Sequence, residues 1–92
     1  MGRYLKGKNG GSMIYVCASY DEGAEFPVRV CGCGLTFDTA MRYANSEVQD
    51  RLNRGWQIDT EYGDGRMYYV VLVNPLTDRW QEIKVQSSAL MY

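Results

Sequence analysis

At 92 residues, with 46% hydrophobic and 13% aromatic side chains, the chain suits one domain near the lower limit for an independent core, with no call for metal or disulfide staples. A formal charge of −1 excludes a general attraction to nucleic acid or anionic membrane, and no apolar run approaches the roughly 20 residues of a membrane span. Three cysteines, an odd number, argue against a disulfide framework and for a reducing, cytoplasmic setting, and no signal peptide is visible.

Residues 1–12, MGRYLKGKNGGS, hold four glycines and neither a helical nor a strand period, which predicts a flexible basic arm ahead of a single domain over 13–92. Arg3, Lys6 and Lys8 can touch phosphates and Tyr4 can stack on a base; three charges are few, and a plain leader fits the same residues. Gly10-Gly11 can also be encoded by GGAGG-like bases just ahead of Met13, as a ribosome-binding site would be, which makes Met13 an alternative start.

In residues 13–20, Ile14, Val16 and Ala18 share one face and Tyr15, Cys17 and Ser19 the other, the period of a strand. An acidic turn over 21–25 leads into a return strand over 26–33, entered past Pro27, with Val28 and Val30 on one face and Arg29, Cys31 and Cys33 on the other. With Tyr20 opposite Phe26, Ile14, Val16 and Ala18 align with Val28 and Val30, and that joint face is expected to receive a helix. Cys17, Cys31 and Cys33 then share the far face. A zinc site needs four ligands, usually Cys or His at C-x2-4-C spacing, and a redox pair more typically C-x-x-C at a helix start. The chain has no histidine and offers only C-x-C. Small, half-buried thiols in a glycine-rich connection are expected, with no metal or other cofactor.

Residues 36–55 carry the one long helical period, with Phe37, Met41, Ala44, Val48 and Leu52 on one side. Thr36 is the expected N-cap, Asp38 complements the first turn, Arg51 and Arg54 the last, and Gly55 suits a left-handed stop. Asp38/Arg42, Glu47/Arg51 and Asp50/Arg54 stand four apart with the acid first, each pair adding about 0.3 kcal/mol. Residues 56–62 alternate, Trp56, Ile58, Thr60 and Tyr62 against Gln57, Asp59 and Glu61. Gly63-Asp64-Gly65 turns the chain into residues 66–73, RMYYVVLV, apolar on both faces as a central strand is. A proline-fixed turn over 74–78 leads to a last strand over 79–85, where Trp80 falls on the other face from Ile83 and Val85 unless a bulge re-aims it. The tail over 87–92, with its apolar end Ala-Leu-Met-Tyr, is expected to fold back on the body or dock elsewhere. The whole predicts an α+β fold, a single helix packed on an antiparallel sheet in the order β-β-α-β-β-β. Whether hairpin and meander join in one sheet is left open.

Without histidine, the usual general base and the Ser–His and Cys–His couples are missing. GKNGG and YGDGR lack the spacing and context of phosphate-binding loops, so no catalytic residue is assigned and no enzyme is expected. Asp59 and Glu61 could do acid–base work, but on an outer strand such pairs more often form a solvated surface. A nucleic-acid binder is the alternative, carried by Arg3, Tyr4, Lys6 and Lys8 and by strand tyrosines that can stack unpaired bases. Eight tyrosines also suit strands on propensity alone, and the dense basic stripe of such binders is missing. The favoured reading is a protein-binding module. A helix covers one face of a sheet, so apolar surface including Trp80 and some of Tyr68, Val70 and Leu72 is expected to stay open on the other. Asp59, Glu61, Asp64, Asp78 and Glu82 gather around the meander and complement a basic groove, such as one that holds nucleic acid. The expected partner contacts are Asp59, Glu61, Asp64, Tyr68, Trp80 and Glu82, the acids meeting basic side chains and the aromatics serving as anchors.

The helix opens in the pattern Thr36-x-x-x-Ala40-x-Arg42-x-Ala44, and an aromatic-rich hairpin over 66–73 leads to a last strand holding Trp80. Over residues 36–85 this architecture resembles the small phage- and plasmid-encoded anti-CRISPR proteins, particularly those against type I-F surveillance complexes. The resemblance implies a phage-encoded inhibitor in the host cytoplasm that sterically occupies protein or nucleic-acid surfaces of an RNA-guided complex, without catalysis. The N-terminal hairpin with its CGCG and the basic arm depart from that pattern.

Overall fold

The computed structural model describes residues 13–89; the expected basic arm with Arg3, Tyr4, Lys6 and Lys8, and residues 90–92, lie outside them. The elements are β1 (Met13–Asp21), β2 (Arg29–Gly34), α1 (Phe37–Asn53), β3 (Gln57–Gly63), β4 (Tyr68–Val73) and β5 (Trp80–Ala89). This is the expected α+β fold in the expected order. The strands form one antiparallel sheet in the order β2-β1-β5-β4-β3. β1 and β5 pair from Met13 opposite Ala89 to Asp21 opposite Gln81, which joins the hairpin to the meander and puts the last strand in the middle.

α1 begins where Thr36 Oγ1 accepts a hydrogen bond from the Thr39 amide at 3.2 Å. It stops before Gly55, whose φ of 94° lies where side chains are strained. Ala40, Ala44 and Val48 are buried, with Phe37 and Met41 packed beside them. The expected stripe departs only at its end, where Leu52 stays 38% exposed. Arg51 faces the sheet there instead, its Nε donating to Gln81 of β5 at 3.0 Å. Glu47/Arg51 and Asp50/Arg54 pair at 3.1 Å, and Glu47 also bridges the layers to Arg29 of β2. Burial opposes the Glu47 charge, but bonds from Arg29 and Arg51 outweigh it and hold the carboxyl below its ordinary range. Asp38 and Arg42 stand outside the ion pairs of the described residues.

The helix lies on the other side of β1 from the one expected. Ala18 pairs with Val30 and Ser19 with Arg29, so Ile14, Val16 and Ala18 do share a face with Val30, while Val28 lies before the paired strand. α1 covers the opposite face, that of Tyr15, Cys17 and Ser19. The cause is the pair of glycines in CGCG. Gly32 and Gly34, opposite Cys17 and Tyr15, leave one side of β2 without relief, and the helix comes down onto it. A Cβ on Gly32 would stand 2.5 Å from the Tyr43 ring, and one on Gly34 2.5 Å from Thr39 Cγ2. Cys31 is an extra residue at the register shift opposite Cys17 and Ala18, and this bulge separates the three cysteines. Cys17 is buried and Cys31 half-buried against the core, whereas Cys33, opposite Val16, is exposed on the far face.

The core runs from Cys17 through Ile83 and Val85 to Tyr68, Val70 and Leu72 of β4, all buried. Val70 pairs with Ile83 and Tyr68 with Val85, and paired residues share a face. Tyr68, Val70 and Leu72, some of which were expected on the open face, therefore all belong to the core. Trp80, paired with Val73, does lie on the opposite face from Ile83 and Val85.

Candidate partner-binding surface

β3 is an edge strand, and every one of its residues is exposed. α1 packs mainly on β2, β1 and β5 and only lightly on β3. The register of β3 shifts between Ile58 and Thr60, which leaves Asp59 as a bulge residue and breaks the alternation read from the sequence. Ile58 opposes Leu72 on the helix side, while Thr60 and Tyr62 oppose Val71 and Tyr69 on the open side. Asp59 is exposed and accepts the Thr60 hydroxyl at 3.2 Å.

Glu61 accepts a hydrogen bond from the Tyr68 hydroxyl at 2.7 Å. Burial first, and then this carboxylate, push the Tyr68 phenol well above its ordinary value, so it remains a donor. Only 7% of Tyr68 is exposed. It is a core residue that positions Glu61 and not the exposed anchor expected. Asp64 closes the turn: its Oδ1 accepts the Arg66 and Met67 amides at 3.0 Å, and its Oδ2 the Tyr62 hydroxyl at 3.3 Å. These bonds, that from the Arg66 amide foremost, hold the Asp64 carboxyl below its usual range. The same neighbour raises the Tyr62 phenol.

Trp80 and Glu82 lie elsewhere, on the open face of the sheet. Glu82 pairs there with Lys84 at 4.0 Å, and the Lys84 ammonium stands 5.0 Å from the centre of the Tyr20 ring. The Tyr62 and Tyr69 rings stack with centres 5.8 Å apart. The acidic loop after β1 clips onto β5, because Glu22 accepts the Trp80 amide at 3.1 Å and pairs with Arg79 at 3.4 Å. Asp78 sits in the turn before β5 with a φ of 63°. The six expected contacts thus separate: Asp59, Glu61 and Asp64 at the β3 edge and hairpin tip, Trp80 and Glu82 on the open face, Tyr68 in the core.

Sequence reasoning passed over a polar cleft of about 550 Å³ between α1 and the sheet, lined among others by Arg29, Glu47, Asp50, Arg51, Arg54 and Gln81. The Arg29–Glu47 pair and the Arg51–Gln81 hydrogen bond cross between the two layers, while the remaining pairs lie within α1, so the cleft braces helix to sheet. The i,i+4 acid–base spacing on α1 was its one local signal; Arg29 and Gln81 reach it from strands distant in sequence. Burial pushes the Cys17 thiol up to about 12, and the adjoining Cys31 adds to the shift. Burial also raises the Cys31 thiol. Among the described residues, no three of His, Cys, Asp and Glu stand together as a metal ion requires, and no helix is long and apolar enough to cross a membrane. Compared with known proteins, the chain matches no family model, no curated protein and no solved structure.

Proposed function

We propose that the chain is a non-enzymatic binding protein that sets its acidic β3–β4 edge against a basic surface of a host protein or protein–RNA complex and blocks it sterically. The observation that carries this reading is the exposure of β3, all seven residues of which are open to solvent. Asp59, Glu61 and Asp64 stand on this hairpin with Arg66 as its one basic residue, and such a strip steers and orients a cationic partner. With no histidine in the chain, the commonest general base is missing, which supports a role in binding. The likeness of residues 36–85 to anti-CRISPR inhibitors gives the sharper form: the partner is an RNA-guided surveillance complex, met in the cytoplasm of the host, and no cofactor is needed.

The test titrates the purified chain against a type I-F surveillance complex while target-DNA binding is followed. Stoichiometric loss of DNA binding is expected, weakening as salt rises. Asp59→Lys combined with Glu61→Lys, with the fold retained by circular dichroism, should weaken the inhibitor about tenfold, or about 1.4 kcal/mol, and flatten its salt dependence. Unchanged affinity refutes the acidic edge, and no inhibition at any concentration refutes the sharper form. The stacked Tyr62 and Tyr69 rings, with Lys84 opposite Tyr69, favour a second reading, binding of single-stranded nucleic acid. Saturable binding of a fluorescent oligonucleotide that fades with salt would select it.

A further inference from the structure

The open face of the sheet is self-complementary about its middle strand. One row of side chains crosses it through the pairs Val30–Ala18, Ala18–Lys84, Lys84–Tyr69 and Tyr69–Tyr62. The next row crosses through Tyr20–Glu82, Glu82–Val71 and Val71–Thr60. A two-fold axis lying across the strands between these rows lays each row of one copy onto the other row of its partner. Lys84 then meets Glu82, Ala18 meets Tyr20, and Tyr69 meets Val71. Opposite charges, a small residue under a large one, and an apolar pair fall together, each contact made twice as an isologous interface requires. The alternative two-fold, along the strands, sets Glu82 on Glu82 and Lys84 on Lys84, and like charges oppose it.

Five strands about 4.8 Å apart, each about six residues long at some 3.4 Å per residue, project roughly 500 Å² per copy. Two copies then bury about 1,000 Å² in all, the lower bound for a specific interface. Val30, 59% exposed, gains a cover its own chain does not give it. We infer that two copies of the chain pack open face to open face as a closed homodimer with reciprocal Lys84–Glu82 pairs at its centre. The β3 acids are not used in this contact, so it stands apart from the acidic-edge reading.

Light scattering or sedimentation of the full chain should give twice its 10.5 kDa mass. Lys84→Glu and Glu82→Lys, each alone, place like charges at the axis and should weaken dimerisation at least tenfold with unchanged circular dichroism. Mixing these two variants in equal amounts should restore a dimer, as should the swapped E82K/K84E chain. Asp59→Lys with Glu61→Lys should leave dimerisation unchanged, which separates this inference from the proposed function. A parent chain that stays monomeric at micromolar concentration, as it would if a foreign protein or one of its own termini covered the face, overturns the inference. So does a dimer that survives both single reversals, or failure of the mixed variants to pair.

Discussion

Alanine at Gly34 tests how the helix is seated. In an unobstructed strand, glycine to alanine stabilises by about 0.4–1 kcal/mol, because the unfolded chain has fewer states to lose. At Gly34 the new Cβ would meet Thr39 Cγ2 at 2.5 Å and Thr39 Cβ at 2.7 Å, where ordinary contact begins at 3.4 Å. Rotation can carry Cγ2 away but not Cβ, which is fixed to the helix backbone. The first turn of α1 must therefore give by about 0.7 Å, the shortfall at Thr39 Cβ, and that turn carries the Thr36 cap. Overpacking of this kind costs about 1–3 kcal/mol, so the sign reverses and a net loss of about 1–2 kcal/mol is expected. Urea unfolding followed by tryptophan fluorescence reads it, with Tm falling about 4–8 °C for each kcal/mol. Thr39→Gly removes both obstructing atoms at a helix cost of about 0.3 kcal/mol, glycine being only slightly poorer in a helix than threonine. On that background Gly34→Ala should cost nothing further. Gly32→Ala should cost less than Gly34→Ala, since the Tyr43 ring above it is 43% exposed and can swing aside. A Gly34→Ala chain as stable as its parent, or a loss undiminished on the Thr39→Gly background, refutes the reasoning.

Two further outcomes follow from the charges and thiols under the helix. The folded-state carboxyl of Glu47 is lowered, so the stability it lends is full above the unfolded carboxylate value and is lost as pH falls through its folded value. Glu47→Gln should thus destabilise the chain at neutral pH by about 1–3 kcal/mol. The gap in urea midpoint should close below about pH 4; a gap independent of pH would sink this account. With a thiol reagent at about pH 8, exposed Cys33 should label first and buried Cys17, whose thiolate is scarce, last. Peptide mass spectrometry gives the order, and equal rates at Cys17 and Cys33 in the folded chain would contradict it.

The helix and the order of the elements along the chain were legible because their signals are local. The period over 36–55, the Thr36 cap and the Gly55 stop each act within a turn or two. The side of the sheet that the helix takes was not legible. Alternation tells which residues share a face, never which face is covered. What decided it was the absence of side chains at Gly32 and Gly34, and a reading based on apolar residues passes over an absence. The same gap misplaced Tyr68, Val70 and Leu72, since RMYYVVLV is apolar on both faces and only the pairing with Ile83 and Val85 orients it. That β1 lies beside β5 joins the two ends of the domain, and no local pattern reports it. Asp59, Glu61 and Asp64 do share the exposed hairpin, because an edge strand that the helix barely covers leaves both its faces wet. The hold of Tyr68 on Glu61 needed coordinates.

The bulge at Asp59 also bears on how far an assembly of this chain can grow. The outer edge of β3 offers unpaired backbone donors and acceptors, a template on which a strand of another molecule could add, and another after it. The register break at Asp59 interrupts that ladder and twists the edge away from a flat approach. Asp59 and Glu61 would also face their own kind if two such edges met. The opposite edge, β2, is six residues long and entered past Pro27, which leaves little to pair with. Both edges of the described sheet thus carry features that disfavour sideways strand addition in a chain rich in tyrosine and valine.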